Sequence, residues 1–385
     1  LRSLCEGTSM STLKVDAIRH NSATSDAITT HSDGTASAKI IDVGGGALSH
    51  RNIIINGAMN VATYGTSSTI SGYGTVNRFE TTIDTGDSNL LTQTQNTLTS
   101  SDTPYSYGFR NSFRVTNHSS GHSADAADYA TQRYIVEARD IANSGWDYTS
   151  SSSFITLSFW VKASVSQNYL LQVRSYDGTA QRISFLINLT AGQWTKVTKT
   201  IPGNSGITVN NDSGGGLHIL WLFYYGSNYV SGSTTDVWQS GTPSPVFPNT
   251  WYTTASSTFE ITGVQLEVGN TPTTFEHRSF AEEKKRCERY YQTYSYTTMM
   301  GSMSGTVGTP RILFPTEMRA IPTSVTTEYG GNGNGSFRNQ NDGSILTGLT
   351  TFNYYINGFD CRGGGGGNTI YSSTYKADAE LRYNS

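Results

Sequence analysis

The run LHILWLFYYGSNYV, from Leu217 to Val230, alternates apolar side chains on both faces of a predicted strand. One face fits a protein core, and the other needs a partner. Tryptophan and tyrosine rings stack on sugar rings and tolerate partial wetting, so this run and the loop after it predict a carbohydrate platform. The alternative is burial under the loop 231–252 or in a subunit interface. The candidate ligand-binding residues are Trp221, Tyr224, Tyr229, Trp238 and Trp251.

Two clusters carry side chains that bind metal ions elsewhere. The first, NHSSGHSADAAD, holds His118, His122, Asp125 and Asp128, but its Ser-Ser-Gly core is typical of a loop, where the His spacing carries little information. The second, DTGDSN from Asp84, lacks the full ligand series of a calcium loop. We therefore predict no metal site and no cofactor.

Catalytic chemistry would need paired carboxylates or an activated nucleophile. Glu137 and Asp140, in YIVEARD, are the pair that a glycosidase could use; the alternative is structural pairing with Arg133 or Arg139. No glycine run carries the lysine or the helix of a nucleotide-binding motif, and no repeat of 20 to 50 residues indicates a β-helical tailspike. We predict no catalytic residues.

Composition excludes several classes of protein. The 385 residues carry a net charge of −3 with only 14% charged residues, which argues against binding nucleic acid. No apolar run is long enough for a membrane span, and no hydrophobic export signal is present, so we predict neither insertion nor secretion. Cys5, Cys287 and Cys361 lack disulfide or zinc spacing and predict reduced thiols in a protein made in a cytoplasm.

The elements that must position these residues are mostly strands. FITLSFWVKAS (154–164) and RISFLINLT (182–190) alternate strictly, and Asp177-Gly178 provides a hairpin turn. In TFEITGVQLEV the apolar phase switches at Gly263, which predicts a bulge within a continuous strand. We predict an antiparallel, jelly-roll-like β-sandwich over residues 52–276.

One charged segment follows the sandwich. Nine of the fourteen residues 276–289 are Asp, Glu, Lys or Arg, and Ser279 with Glu282 forms a capping box that predicts a helix beginning near Phe280. We expect this helix, within 277–298, to expose its charges and to form a bundle about a three-fold axis; the alternative is packing on the sandwich. The predicted trimer-interface stripe is Phe280, Cys287, Tyr290, Tyr291 and Tyr294.

The two ends of the chain are predicted to be small β units. Residues 1–51 contain a hairpin around Asp33-Gly34 and a glycine-rich joint, and residues 299–385 contain several short strands, a Gly/Asn loop (330–343) and five consecutive glycines. The loop could contact a receptor if it lies at an exposed end. The C-terminal core is small and could need neighbouring subunits.

Several stretches together resemble tail fibres of tailed bacteriophages. They are NIIINGAMNVATYGTSS, NRFE, FWVKAS, GQWTKVTKTI and ITGVQLEVGNTPTTFEHRSFAEEKKRCERYY, with ILFPTEMRAIPT and KADAEL in the C-terminal part and KVDAIRHNSATSDAITTHSDGTASAKI before the sandwich. The resemblance covers nearly the whole chain, and its strand-turn-helix segment is the most specific part.

The resemblance implies a homotrimeric fibre in the virion, with a sandwich similar to carbohydrate-binding modules and a role in host attachment. It implies partners among other virion tail proteins through the N-terminal segment, and lipopolysaccharide or another host surface glycan as ligand. It transfers no catalytic or receptor-contacting residue. Two alternatives stay open: a decoration or head-fibre protein without glycan binding, and a polysaccharide depolymerase.

Overall fold

The computed structural model describes residues 15–19, 21–22, 24, 26–32, 34, 36–38, 50–84, 91–232, 234–241, 244–302, 311–340, 343–362 and 368–382. The chain divides into two compact units, 1–49 and 50–385. The smaller unit contains three short antiparallel strands, β1 (Ala17–Ile18), β2 (Ile28–Thr30) and β3 (Ala36–Ala38). Strands β2 and β3 form the hairpin that the Asp33-Gly34 pair predicts. The glycine-rich joint is predicted over 43–52, and its residues 43–49 lie outside the described residues.

The larger unit contains the predicted antiparallel sandwich. The first sheet has the order β14-β11-β10-β13-β8-β5 and the second has β12-β9-β15-β7-β6-β4. In chain order the strands are β4 (Ser67–Ser68), β5 (Phe79–Asp84), β6 (Thr92–Thr97), β7 (Asn111–Thr116), β8 (Tyr129–Glu137), β9 (Phe154–Ala163), β10 (Gln167–Ser175), β11 (Gln181–Leu189), β12 (Thr195–Pro202), β13 (Gly215–Tyr225), β14 (Gln239–Ser240) and β15 (Thr258–Val268).

Alternation along the strands places one apolar row of each sheet between the sheets. The four alternating apolar residues of β9 are fully buried, and those of β11 line the same core; they are Ile155, Leu157, Phe159, Val161, Ile183, Phe185, Ile187 and Leu189. Strands β10 and β11 form the predicted hairpin, and residues 176–180, which include Asp177-Gly178, connect them. The mainly β, sandwich-like fold class is therefore confirmed.

The phase switch in β15 is a bulge, as the sequence predicts. The register of β15 on β9 slips between Thr262 and Gln265, and Gly263 has φ +63°. A Cβ atom there would lie 2.6 Å from the Phe109 ring, so glycine is required both by its backbone conformation and by the space. The bulge keeps Val264 and Leu266 aimed into the core.

The helix after the sandwich is shorter than predicted. Helix α3 (Phe280–Glu288) begins at the expected place, with the Ser279 hydroxyl accepting a hydrogen bond from the Glu282 N–H, but it ends before Tyr290. The chain continues as strand β16 (Tyr291–Ser302), because YYQTYSYTT is rich in aromatic and β-branched residues and pairs along β23 (Asn368–Asp378). A helix reaching residue 298 is thus wrong. Two shorter helices, α1 (Ala138–Ala142) and α2 (Thr250–Thr253), precede α3.

The predicted helical stripe consequently does not form one surface. Cys287 and Tyr290 are buried in an apolar cluster with Ile135 of the sandwich and Leu381. The other two tyrosines also contact the same chain: the Tyr291 ring stacks on Tyr64 at 3.7 Å, and Tyr294 donates to Glu288 at 2.6 Å. Phe280 is 59% exposed. The helix therefore packs on the sandwich, and the predicted stripe does not form the seam of a helix bundle.

Most charged side chains of the segment 276–289 bind groups of the same chain and are not simply exposed to solvent. Glu276 accepts the N–H of Asn52 at 2.8 Å, Arg278 donates to the Ile54 carbonyl at 3.1 Å, and Glu283 accepts the Asn56 N–H at 2.6 Å. These bonds satisfy backbone groups of residues 50–56, which lie outside helices and strands. The charge cluster fixes the entry of the chain into the sandwich.

The C-terminal part of the larger unit has its own small core. It contains β17 (Arg311–Leu313), β18 (Ser324–Glu328), β19 (Phe337–Asn339), β20 (Ile345–Leu346), β21 (Thr350–Tyr355) and β22 (Gly358–Arg362). One sheet has the order β16-β23-β19-β20 with β18 also on β23, and the other has the order β17-β22-β21. Their core includes Phe314, Phe337, Phe359 and Tyr375.

The last described residues join this part to the sandwich. Tyr73 donates to the Leu381 carbonyl at 2.6 Å, and Arg78 forms an ion pair with Glu380 in which neither side chain is exposed. Arg319 donates to the Ala379 carbonyl and also to the Ser213 carbonyl, each at 2.5 Å. The segment 379–382 therefore acts as a C-terminal latch on the sandwich.

Candidate functional site: a tyrosine cleft on the first sheet

The outer face of the first sheet carries a row of polar and aromatic residues at one end of its strands. Antiparallel register places Tyr225, Tyr129 and Asp84 side by side on β13, β8 and β5. Residues directly opposite each other on neighbouring strands share a face, so these three side chains project on the same side. The next row on that face is Leu222, Thr131 and Thr82.

A bulge in β13 decides which tyrosine reaches this face. The register on β8 slips between Leu222 and Tyr224, so Phe223 and Tyr224 both turn inward and Tyr225 turns outward. Tyr224 is 7% exposed and stacks on Tyr252 at 4.3 Å. Strict alternation along the run 217–230 would exchange the roles of these two tyrosines.

Three tyrosine rings line a cleft of about 450 Å³ at this position. The Tyr129 ring stands nearly perpendicular to Tyr225 and to Tyr229, with centroids 6.3 and 5.6 Å apart, and Tyr225 lies 5.4 Å from Tyr229. All three side chains are half-buried. Their partly exposed rings provide apolar surface on the walls of a solvent-accessible cavity, within the size range of small-ligand sites.

Polar groups surround the rings. Arg174 donates to the Tyr225 hydroxyl at 3.0 Å, which leaves the tyrosine O–H to donate into the cleft. Arg133, held by Glu80 at 2.7 Å, lies deeper, and the exposed Asp84 and Asn228 stand at the margin. The cleft therefore combines ring faces with both donors and acceptors of hydrogen bonds.

Two titratable groups near the cleft arginines and at the cleft margin are uncharged at neutral pH. Burial lowers the pKa of His218 to about 3, with Arg133 and Arg174 acting in the same direction, so this imidazole is neutral at neutral pH. At the margin, burial raises the pKa of Tyr129, and the Asp84 carboxylate raises it further. Tyr129 therefore stays a neutral phenol that can donate and accept hydrogen bonds.

The structure brings one of the five predicted ligand-binding residues, Tyr229, into this cleft. Trp221 and Trp251 are core residues, 1% and 0% exposed, and they cannot contact a ligand in the folded chain. Trp238 is half-buried against the core and donates to the Pro202 carbonyl at 2.8 Å. The platform predicted from Trp221, Tyr224, Trp238 and Trp251 is therefore not assembled.

Burial under the loop 231–252, the alternative to a carbohydrate platform, occurs in the middle of the same sheet face. Leu170, Leu220 and Leu222 form a buried cluster, and Phe247 of the long loop packs on it. No described residue of the loop 231–252 lines the cleft, because Asn228 and Tyr229 precede that loop. The sequence did not predict four residues of the cleft, because they come from separate strands: Tyr129, Tyr225, Arg133 and Arg174.

The carboxylate pair considered for catalysis occupies a different setting. Glu137 is 1% exposed and accepts from Arg289 at 2.7 Å and from the Tyr290 hydroxyl at 2.8 Å. Its partner is thus Arg289, not Arg133 or Arg139. Asp140 lines a groove of about 700 Å³ near helix α3, where burial, and then Glu137, raise its pKa. Glu137 is fully engaged in joining β8 to the segment after α3.

The histidine cluster is also engaged in local structure. The His122 ring stacks on Tyr252 at 4.8 Å, His118 bonds to the Ser120 hydroxyl at 2.8 Å, and Asp128 accepts from Tyr252 at 3.1 Å. Among the described residues no group of three or more His, Cys, Asp or Glu side chains is arranged to hold a metal ion. Within the same residues no helix is both long and apolar enough to cross a bilayer.

Comparisons with known proteins find similarity in fold but no family. No protein-family model matches the sequence, and no curated protein matches it. Similar solved structures include a putative sugar binding protein from Bacteroides thetaiotaomicron (11% identity, 57% of this chain and 100% of that chain, TM-score 0.27). Another is the family 11 carbohydrate-binding module of a cellulosomal cellulase of Clostridium thermocellum (13% identity, 53% and 95%, TM-score 0.27). These similarities concern the β-sandwich fold and are too weak to assign a ligand.

Proposed function

We propose that this protein is a non-enzymatic component of a tailed-bacteriophage fibre that binds a glycan on a bacterial host through the tyrosine cleft. One observation carries the glycan part of the proposal: Tyr129, Tyr225 and Tyr229 line one cavity together with Asp84, Asn228 and two arginines. A sugar ring offers an apolar face to aromatic rings and hydroxyls to carboxylate, amide and guanidinium groups. The fibre part rests on the sequence resemblance.

The first experiment measures binding of the full chain to an array of bacterial O-antigens, capsular polysaccharides and neutral oligosaccharides. We expect Tyr225→Ala and Tyr229→Ala each to weaken binding about tenfold, because each removes one ring from the cleft. The matched control is Tyr355→Ala, which removes a half-buried tyrosine ring from the C-terminal part. Equal binding by the wild type and both cleft variants would assign recognition to another surface.

The same protein separates attachment from a purely structural role. If the chain is the attachment fibre, added free protein blocks adsorption of the phage that carries it, and Tyr225→Ala blocks less well. A decoration protein without a receptor neither binds host lipopolysaccharide nor competes with adsorption. Failure in both assays supports the structural alternative.

The proposal that the chain is not an enzyme is supported by the position of Glu137, whose two oxygens are bound by Arg289 and Tyr290. A depolymerase would release reducing ends from a bound polysaccharide. Incubation of the full chain with every polysaccharide that binds on the array, followed by a reducing-sugar assay, tests this directly. Release of reducing ends by the native chain, but not by the heat-inactivated chain, would overturn the proposal.

A homotrimer attached to virion tail proteins through the N-terminal segment completes the proposal. Three copies of the cleft on one trimeric fibre would raise the avidity for a weakly bound sugar. Because Cys287 and Tyr290 of the predicted stripe are buried against the chain's own sandwich, three-fold contacts must use other residues, of which the exposed Phe280 is one candidate. Light scattering of the full chain at micromolar concentration is expected to give three times the chain mass; a single-chain mass would exclude the trimer.

A further inference from the structure

A second aromatic groove lies on the outer face of the other sheet. Its cavity of about 220 Å³ is bounded by Tyr107, Trp160 of β9, Lys196 of β12, and the segment containing Phe275 and His277. The first and second sheets form opposite sides of the sandwich, so this groove does not share a wall with the tyrosine cleft.

The two rings of the groove differ in exposure. Trp160 is 8% exposed and is fixed between its strand neighbours, whereas Tyr107 is 56% exposed. Their centroids lie 5.1 Å apart at an angle of 44°. The exposed Tyr107 ring stands at a concave surface, where its face is available for stacking on a ligand.

The exposed ring is held in place by its backbone. Tyr107 ends a 3-10 helix (Thr103–Tyr107), and the following Gly108 adopts φ +92° with its N–H bonded to the carbonyls of Pro104 and Tyr105. The His277 imidazole lies 3.0 Å from the Tyr107 carbonyl oxygen. A ring whose backbone is anchored on both sides needs little further ordering when it binds a ligand.

Polar groups flank the rings. Lys196 pairs directly with Trp160 across β12 and β9, and its side chain is exposed; no carboxylate of the described residues is found within ion-pair distance of it. The Ser158 and Thr273 side chains also line the cavity. An ammonium donor beside an aromatic wall matches a ring that has an apolar face and hydroxyl acceptors.

We infer that this groove is a second sugar-binding site, which takes a single neutral pyranose residue or the end of an oligosaccharide. The cavity is smaller than the roughly 300 to 1,000 Å³ of typical small-ligand pockets, which favours one ring over an internal stretch of polysaccharide. Tyr107 supplies the stacking face, and Lys196 donates to a hydroxyl or ring oxygen. The inference does not depend on binding at the tyrosine cleft.

Two sites on opposite sides of one sandwich would let a single chain contact two glycan strands. Engagement of the second site would then become intramolecular, with an effective concentration set by the spacing of the strands. The full chain would bind a dense glycan surface more tightly than the same sugar free in solution.

The test uses saturation-transfer NMR with the full chain and an equimolar mixture of the methyl glycosides of glucose, galactose, mannose, rhamnose, xylose and N-acetylglucosamine. The background is Tyr225→Ala, in which the cleft lacks one ring. We expect at least one glycoside to receive transfer in this background, and Tyr107→Ala added to it to lower its affinity about tenfold.

Two further variants keep the result interpretable. Tyr107→Phe keeps the ring and is expected to retain transfer, whereas Lys196→Met is expected to weaken it. Because Tyr107 and Lys196 are exposed, these changes should leave the melting temperature unchanged, which circular dichroism checks. No transfer in the Tyr225→Ala background, or transfer that Tyr107→Ala leaves unchanged, would overturn the second site without touching the cleft proposal.

Discussion

The ion pair between Arg78 and Glu380 is completely buried, and the two residues are 302 positions apart. Arg78 also donates to the Ile135 carbonyl at 2.6 Å, and its guanidinium lies 3.5 Å from the Tyr290 ring centroid. Removing one partner of such a pair leaves an uncompensated buried charge, which costs about 3 to 5 kcal/mol. We therefore expect Glu380→Gln to lower the free energy of unfolding by about 3 to 5 kcal/mol.

The two single variants should differ in their pH dependence. Arginine cannot lose its proton in proteins, so Glu380→Gln leaves an unpaired guanidinium that acidification from pH 7 to pH 5 does not relieve. Burial raises the pKa of Glu380, and Arg78 opposes that rise; in Arg78→Met the opposition is lost. A carboxyl with a raised folded-state pKa regains stability as pH falls, so the cost of Arg78→Met should decrease on acidification.

Urea unfolding followed by tryptophan fluorescence measures these free energies. In the double variant Arg78→Met with Glu380→Gln no charge is left buried, so its cost should be well below the sum of the single costs. The control is Arg382→Met, which breaks an exposed pair with Asp378 and should cost under about 1 kcal/mol. Additive single costs, or a Glu380→Gln cost below about 1 kcal/mol, would refute this account of the latch.

Two more predictions concern the second sheet and the loop beside it. Although partial burial raises the pKa of Asp102, hydrogen bonds from the Thr99 N–H, Trp194 and Lys162 lower it to about 2. Because solvent screens this partly exposed carboxyl, Asp102 should contribute about 1 kcal/mol above pH 5, and this contribution is lost as pH falls toward 2. Denaturation of Asp102→Asn and wild type at pH 7 and pH 3 should show a difference that shrinks at the lower pH; a constant difference contradicts the assignment. Gly263→Ala should cost about 2 to 3 kcal/mol, since φ is +63° and the new methyl would meet Phe109. Gly232→Ala, with open space around it, should change the melting temperature little, and equal effects of the two would contradict the bulge argument.

The sequence allowed accurate prediction where the signal was local. Alternation along β9 and β11 identified the core rows, and a phase switch located on a glycine identified the β15 bulge. The capping box at Ser279 located the start of α3. In each case a few neighbouring residues carry the physical cause, so no knowledge of the distant chain was needed.

The wrong predictions arose where distant partners decide the outcome. The bulge of β13 has no glycine or proline to mark it, so nothing local indicates that Tyr225 instead of Tyr224 faces outward. The end of α3 depends on pairing of β16 with β23, far along the chain. The cleft itself requires the register of three strands, which brings Asp84 beside Tyr129 and Tyr225.

The C-terminal latch has a consequence for synthesis of the protein. Tyr73 and Arg78 emerge from the ribosome some three hundred residues before Leu381 and Glu380, which satisfy them. Until then a nascent sandwich must hold a guanidinium without its counterion or leave that edge open to water. Completion of the sandwich therefore waits for synthesis of the segment 379–382, and a chain cut short before Glu380 would expose this edge of the sandwich to proteases.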